Sequence, residues 1–154
     1  MLLALHFSCA SKKNKVANET VIETPPSKIV FLNYTISKDN NGNKHIQFIN
    51  KIITDGKLKN NSDTYLKTGA VGDLKCSQLN KDSVAIKTVI IKNPLSKTIE
   101  YLNDSLIFES KKMELNRAPL SLRLPLYDQT KYISIAEIID SLQHSQHLIT
   151  TKLD

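Results

Sequence analysis

Hydrophobic and polar positions alternate in short runs along most of this chain. In "KIVFLNYTIS" (residues 28–37), Val30, Leu32, Tyr34 and Ile36 are all apolar and alternate with Ile29, Phe31, Asn33 and Thr35. A period of two with one uniformly apolar set predicts a strand with one buried face. "KDNNGN" follows as a turn signal, with Asn41-Gly42 inside it. "KHIQFINKIIT" (Lys44 to Thr54) then predicts a second strand, so the two segments read as a hairpin.

The pattern continues. "DGKLKNNSD" (Asp55 to Asp63) is a polar connection. "DLKCSQL" alternates like a strand and places Cys76 on the face of Leu74. "VAIKTVIIK" (Val84 to Lys92) is the strongest strand signal, ended by "NPLS". "KTIEYLNDSLIFES" predicts a second hairpin: Thr98–Leu102, a turn at Asn103-Asp104, and Ser105–Glu109, with "KKMEL" as an extension. "LSLRLPLY" puts Leu120, Leu122 and Leu124 on one side, and Pro125 is expected to interrupt it. "KYISIAEII" allows two readings. Either a strand runs to Ile139, with Ile133 and Ile135 opposite Tyr132 and Ser134, or a helix begins at Ile135. Ser134 and Glu137 have capping-box spacing, and Ile135, Ile138, Ile139 and Leu142 fall on one helical stripe.

Seven or eight short strands with turn signals between them predict an all-β fold. The expected architecture is an antiparallel β-sandwich, immunoglobulin-like or transthyretin-like in shape, with a short C-terminal helix as the alternative for the last segment. The expected domain is 28–140, followed by a polar tail over 141–154. A length of 154 residues suits one such domain. Apolar residues at 40% and charged residues at 23% exclude fibrous and disulfide-dense classes.

The opening differs in kind. "MLLALHFSC" is a short apolar run ending at Cys9, and "ASKKNKVANETVIETPPS" (residues 10–27) is a polar linker closing on Pro25-Pro26. "LHFSC-ASKKN" resembles the signal-peptide end of a bacterial lipoprotein, in which a small residue precedes a Cys that becomes the lipidated first residue. Ser8 and Cys9 match this pattern, and His6 stands where Leu is usual. The Ser/Lys/Asn-rich tether in a Lys-, Asn- and Ile-rich chain is similar to lipoproteins of the Bacteroidota. The resemblance implies that residues 1–8 are a signal-peptide remnant, with the start codon further upstream. It also implies lipidation at Cys9, a tether over 9–27, and an outer-membrane lipoprotein on the periplasmic face. Acyl chains at about 0.8 kcal/mol per buried methylene would make that anchor permanent. The tether would reach at most about 60 Å.

Charge adds little. The net charge is +6, and residues 28–96 hold eleven Lys against five Asp. Nearly all of these Lys stand singly, the pattern of a solvated, aggregation-resistant face. Only two Arg are present and the aromatics sit in apolar strand faces, so no nucleic-acid partner is expected.

Candidate chemistry is sparse. "DNNGNKH" lacks the spacing of a calcium loop, since Gly42 falls fourth from Asp39 and Asn50 twelfth. His144 and His147 would share a face with Asp140 if helical, the geometry of part of a metal site, but a polar C-terminus explains them more simply. Cys76 reads as a small core residue rather than a nucleophile. Glu100 and Glu109 fall in one predicted hairpin, where a facing pair would be needed for acid–base work. No phosphate loop or dinucleotide fingerprint appears. The expectation is therefore a non-catalytic, lipid-anchored envelope module without cofactor or metal, binding or bracing a protein or glycan. Its docking surfaces would be sheet edges or the exposed loops "DGKLKNNSD" and "NRAP". The alternative is an envelope metal-binding protein or enzyme using the C-terminal His pair.

Overall fold

The computed structural model of the chain describes residues 28–59 and 65–154. Among these residues the structure is all-β and antiparallel. In chain order the strands are β1 (Lys28–Lys38), β2 (Lys44–Asp55), β3 (Leu74–Leu79), β4 (Ala85–Ile91), β5 (Ser96–Leu102), β6 (Phe108–Glu114), β7 (Arg117–Leu126), β8 (Tyr132–Ile138) and β9 (Ser145–Lys152). One sheet has the order β2-β1-β7 and the other β4-β3-β8-β9, while β5 and β6 pair only with each other.

The two larger sheets face one another as a sandwich because their strands keep period two. Val30, Leu32, Tyr34 and Ile36 of β1 are buried beside Ala118, Leu120, Leu122 and Leu124 of β7. Opposite them lie Leu74 and Cys76 of β3 and Ile133 and Ile135 of β8. Leu95 and Leu153 complete the same core, one from each end of the sandwich. Tyr34 carries the one polar atom of its row. Its hydroxyl donates to Thr151 Oγ1 across the core at 3.0 Å, and its ring meets Phe48 edge-on.

Four expectations need correction. Pro125 does not interrupt β7, which runs through both Pro119 and Pro125. β7 is an edge strand, where proline forfeits no ladder bond if its nitrogen faces outward. The Pro125 carbonyl does face outward, accepting from Gln78 Nε2 at 2.8 Å. No helix forms over 135–142: β8 continues to Ile138, with Ile133 and Ile135 in the sandwich core and Ile138 buried outside that cluster. The expected polar tail is β9, which pairs with β8 from Ser145 to Lys152. In the second hairpin the turn is longer than expected, so β6 starts at Phe108 rather than Ser105.

Four connections share one plan. In each, an Asx side chain at the first position accepts backbone N–H groups further round the turn, and the fourth residue is left-handed. Asp39 Oδ1 accepts from Asn41 N and Asn43 N, with Gly42 at φ 88°. Asn80 Oδ1 accepts from Asp82 N and Val84 N, with Ser83 at φ 61°. Asn103 Oδ1 accepts from Ser105 N and Ile107 N, with Leu106 at φ 58°. Asp140 Oδ1 accepts from His144 N, with Gln143 at φ 67°. The side chain satisfies donors that the ladder cannot reach. The fourth position suits glycine, and only the first turn has it.

The β3–β4 turn lies within the sandwich and tests this plan by substitution. Ser83→Gly should raise unfolding stability by about 0.5–1 kcal/mol by relieving the left-handed strain. Asn80→Ala should lower it by about 1–2 kcal/mol, since two N–H groups lose their acceptor. Urea melts of the two variants against the unaltered chain check both signs.

Candidate functional site

The two ends of the sandwich differ. Lys28 pairs with Asp55 and Leu126, so the chain enters β1 at the end carrying the β2 terminus and the loop after β7. At the other end, Lys38 N donates to Asn116 O and Leu115 N to Leu95 O, and from this point the β5–β6 hairpin departs. The hairpin therefore emerges opposite the entry of residues 1–27. Every residue of β6 and all of β5 except Ser96 are exposed.

The hairpin tip is apolar. Leu106 is 79% exposed and Phe108 77%, with Leu102 and Ile107 beside them. Among the described residues no element lies over this cluster. The tip is also shaped: Asn103 holds the turn from inside, and its Nδ2 donates to Glu109 Oε1 at 2.7 Å. Tyr101 OH donates to the other oxygen of Glu109 at 2.9 Å. Those bonds, Asn103's first, hold the Glu109 carboxyl below the usual carboxylate range. Glu100 pairs with Ser110 and Glu109 with Tyr101, so the two glutamates do not face each other, and the paired-carboxylate geometry is absent.

The sheet edges are guarded. β2, β4 and β9 each carry a bulge, leaving Ile49, Ile86 and Leu148 without a partner in the register. A bulge twists an edge away from straight pairing. β7 has its prolines, and two of its outward carbonyls are already taken: Arg123 O by Tyr65 OH at 2.5 Å and Pro125 O by Gln78. Leu66 N also caps β4 at Ile90 O. Between β2 and β9, Lys51 Nζ donates to the carbonyls of Lys152 and Leu153. Strand addition, one expected docking mode, meets these obstacles at every edge of the two larger sheets.

Where β2 and β9 diverge, a groove of about 620 Å³ opens, lined by Lys44, His45, Glu137, Gln146 and His147 among others. Its floor is the Lys44–Glu137 ion pair at 2.8 Å. The Lys44 side chain is only 7% exposed and also donates to Gly72 O at 2.7 Å. The ammonium thus ties β2 to the opposite sheet, a structural use of the charge.

The structure places the two C-terminal histidines in different elements. His144 lies in the β8–β9 turn, with Nδ1 2.6 Å from Asp140 Oδ2, while His147 lies in β9 with Nε2 2.9 Å from Thr150 Oγ1. The expected shared helical face does not exist because no helix forms. Among the described residues no group of three or more His, Cys, Asp or Glu side chains is placed to hold a metal ion. Asp140 and Asp39 both have lowered pKa values. The chief causes are the His144 side-chain bond for Asp140 and the Asn43 backbone bond for Asp39. Stability drawn from a depressed carboxylate is complete above its unfolded value and is lost as pH falls through the folded one. Both turns therefore loosen in acid.

Cys76 is buried in β3, and burial pushes its thiol up to about 12, which leaves no thiolate for nucleophilic work near neutrality. Cys9 lies outside the described residues, as does part of "DGKLKNNSD". "NRAP" is not the expected exposed loop: Arg117, Ala118 and Pro119 are the first residues of β7, paired with β1, and Ala118 is buried in the core. Sequence reasoning missed the hairpin tip as a surface feature. The run Leu106–Ile107–Phe108 gave the signal, being too apolar for a turn-proximal segment.

No protein family matches the chain, and neither a curated protein nor a solved structure matches it significantly.

Two measurements test these assignments. Lys44→Ala should destabilise the fold by about 1–3 kcal/mol in urea melts, because Glu137 then loses its partner while half-buried. In a Cys9→Ala chain, Cys76 should resist a thiol reagent at pH 8 and react stoichiometrically once urea unfolds the protein.

Proposed function

We propose that this protein is a non-catalytic binding module of a bacterial envelope. It is anchored by a lipid on Cys9 and presents the β5–β6 hairpin to another envelope component. The observation that carries this reading is the polarity of the molecule. The tether enters at Lys28, and an exposed, preformed apolar hairpin leaves from the opposite end. A domain anchored at one end and adhesive at the other suits bridging rather than catalysis.

The guarded edges support the same reading, since they favour the hairpin over strand addition as the contact. The outer membrane, with the module on its periplasmic face, is the location the Cys9 resemblance implies.

The test is intact mass of the membrane-extracted protein, expressed in its native host from the genomic start, with Cys9→Ala as control. A chain beginning at Cys9 and carrying diacylglycerol, absent in the control, is the expected result. An unmodified chain retaining Met1 in the cytosol would overturn the anchored-module reading.

A further inference from the structure

The charges around the hairpin tip have the opposite sign to the rest of the protein. From residue 100 to residue 110 the chain holds Glu100, Asp104 and Glu109 and no Lys or Arg, on a protein of net charge +6. The hairpin's basic residues, Lys97, Lys111 and Lys112, pair with Met113, Ile99 and Thr98 further down the stem. Glu100 and Glu109 fall on opposite faces of the two-stranded ribbon, because neighbouring register pairs alternate faces. With Asp104 in the turn, the acids form a collar round the cluster of Leu102, Leu106, Ile107 and Phe108.

This arrangement argues against a lipid surface. Bacterial bilayers are anionic, and surface-seeking apolar segments carry Lys and Arg beside their apolar residues. Here the acidic collar would enter the headgroup layer first. The complementary surface is a cleft with an apolar floor and a basic rim, in which the rim pairs with the collar while the floor takes the aliphatic and aromatic side chains. The tip is preorganised for this use. The Asn103 bonds fix the turn, with Leu106 at its left-handed fourth position.

We infer that the β5–β6 tip docks into a protein cleft with an apolar floor and a rim of Lys or Arg. The inference rests on the anchored-module reading and names its partner class. It assigns the apolar contact to Leu106, Ile107 and Phe108 and the steering charge to Glu100, Asp104 and Glu109.

The experiment uses the full chain in its native host, with benzoylphenylalanine replacing Leu106 or, as control, the exposed Lys87 of β4. Illumination should give a discrete protein adduct from position 106 and none from 87. The partner's crosslinked peptide should be apolar and flanked by Lys or Arg. Glu100→Lys combined with Asp104→Lys should cut the adduct about tenfold, and Glu100→Gln with Asp104→Asn should cut it less. An unchanged melting curve would show that the fold is intact in both pairs. Adduct yield indifferent to charge reversal would overturn the inference, as would the absence of any adduct from a correctly lipidated chain. The bilayer has its own arm: the chain has no Trp, so Leu106→Trp supplies a single reporter. A blue shift on vesicles of phosphatidylethanolamine and phosphatidylglycerol would replace the protein cleft with a membrane while leaving the anchored module standing. Failure of lipidation at Cys9 would instead remove the reading beneath.

Discussion

Everything in this molecule hangs on the face-to-face burial of two rows of side chains, one from β1 and β7 and the other from β3 and β8. Each row depends on strict alternation, and a slip of one residue would turn every buried side chain outward. β1 is the critical strand because it is paired on both sides within a sheet of three. Its row from Val30 to Ile36 fills the centre, and truncating any of these aliphatics would cost about 2–5 kcal/mol. Polar clasps then fix how the sheets sit: Tyr34 to Thr151 through the middle, Lys44 to Glu137 at one rim, and Gln78 to Pro125 at the other. Each clasp joins one sheet to the other, so the apolar rows supply the adhesion and the clasps supply the alignment.

With the core settled, the remaining surfaces divide into protected and presented. The three bulges, the prolines of β7 and the lysine bonds between β2 and β9 all discourage a foreign strand from joining the sandwich. The hairpin shows no such economy. Among the described residues it has two open edges, both faces exposed, and its most exposed apolar residues at the tip. That contrast, among the described residues, is what the proposed docking at the tip rests on.

Much of the fold was legible because period two is a local signal. The β1 row, the Leu120–Leu122–Leu124 row and the faces of Ile133, Ile135 and Cys76 could be read directly from alternation. The failures came where a local signal was ambiguous and tertiary demand decided. Ser134 and Glu137 have the spacing of a helix cap, but Glu137 is needed by Lys44, ninety-three residues away in sequence. Pro125 looks like a breaker until its strand is known to be an edge. β9 offers only the adjacent Leu148 and Ile149 beside a bulge, so no alternation announced it, and it is held by pairing with β8. Leu95 and Leu153 join the core from outside any alternating run. At the candidate site, the acids and apolar residues of the hairpin were visible as letters. Their meaning depended on the hairpin standing clear of both sheets, and Leu106 in a left-handed turn position had no glycine to mark it.

The placement of chain entry and hairpin at opposite ends has a mechanical consequence. Tension between a tethered N-terminus and a held hairpin would draw β1 one way through Lys28 and β7 the other through Arg117. These neighbours are joined antiparallel over an unbroken register from Lys28–Leu126 to Ser37–Arg117. Such a load shears the ladder along its length, so the cross-strand bonds share it and must yield together instead of opening one at a time like a zip. The geometry would make the weakest link of a stretched assembly the contact at the tip, and not the fold that carries it.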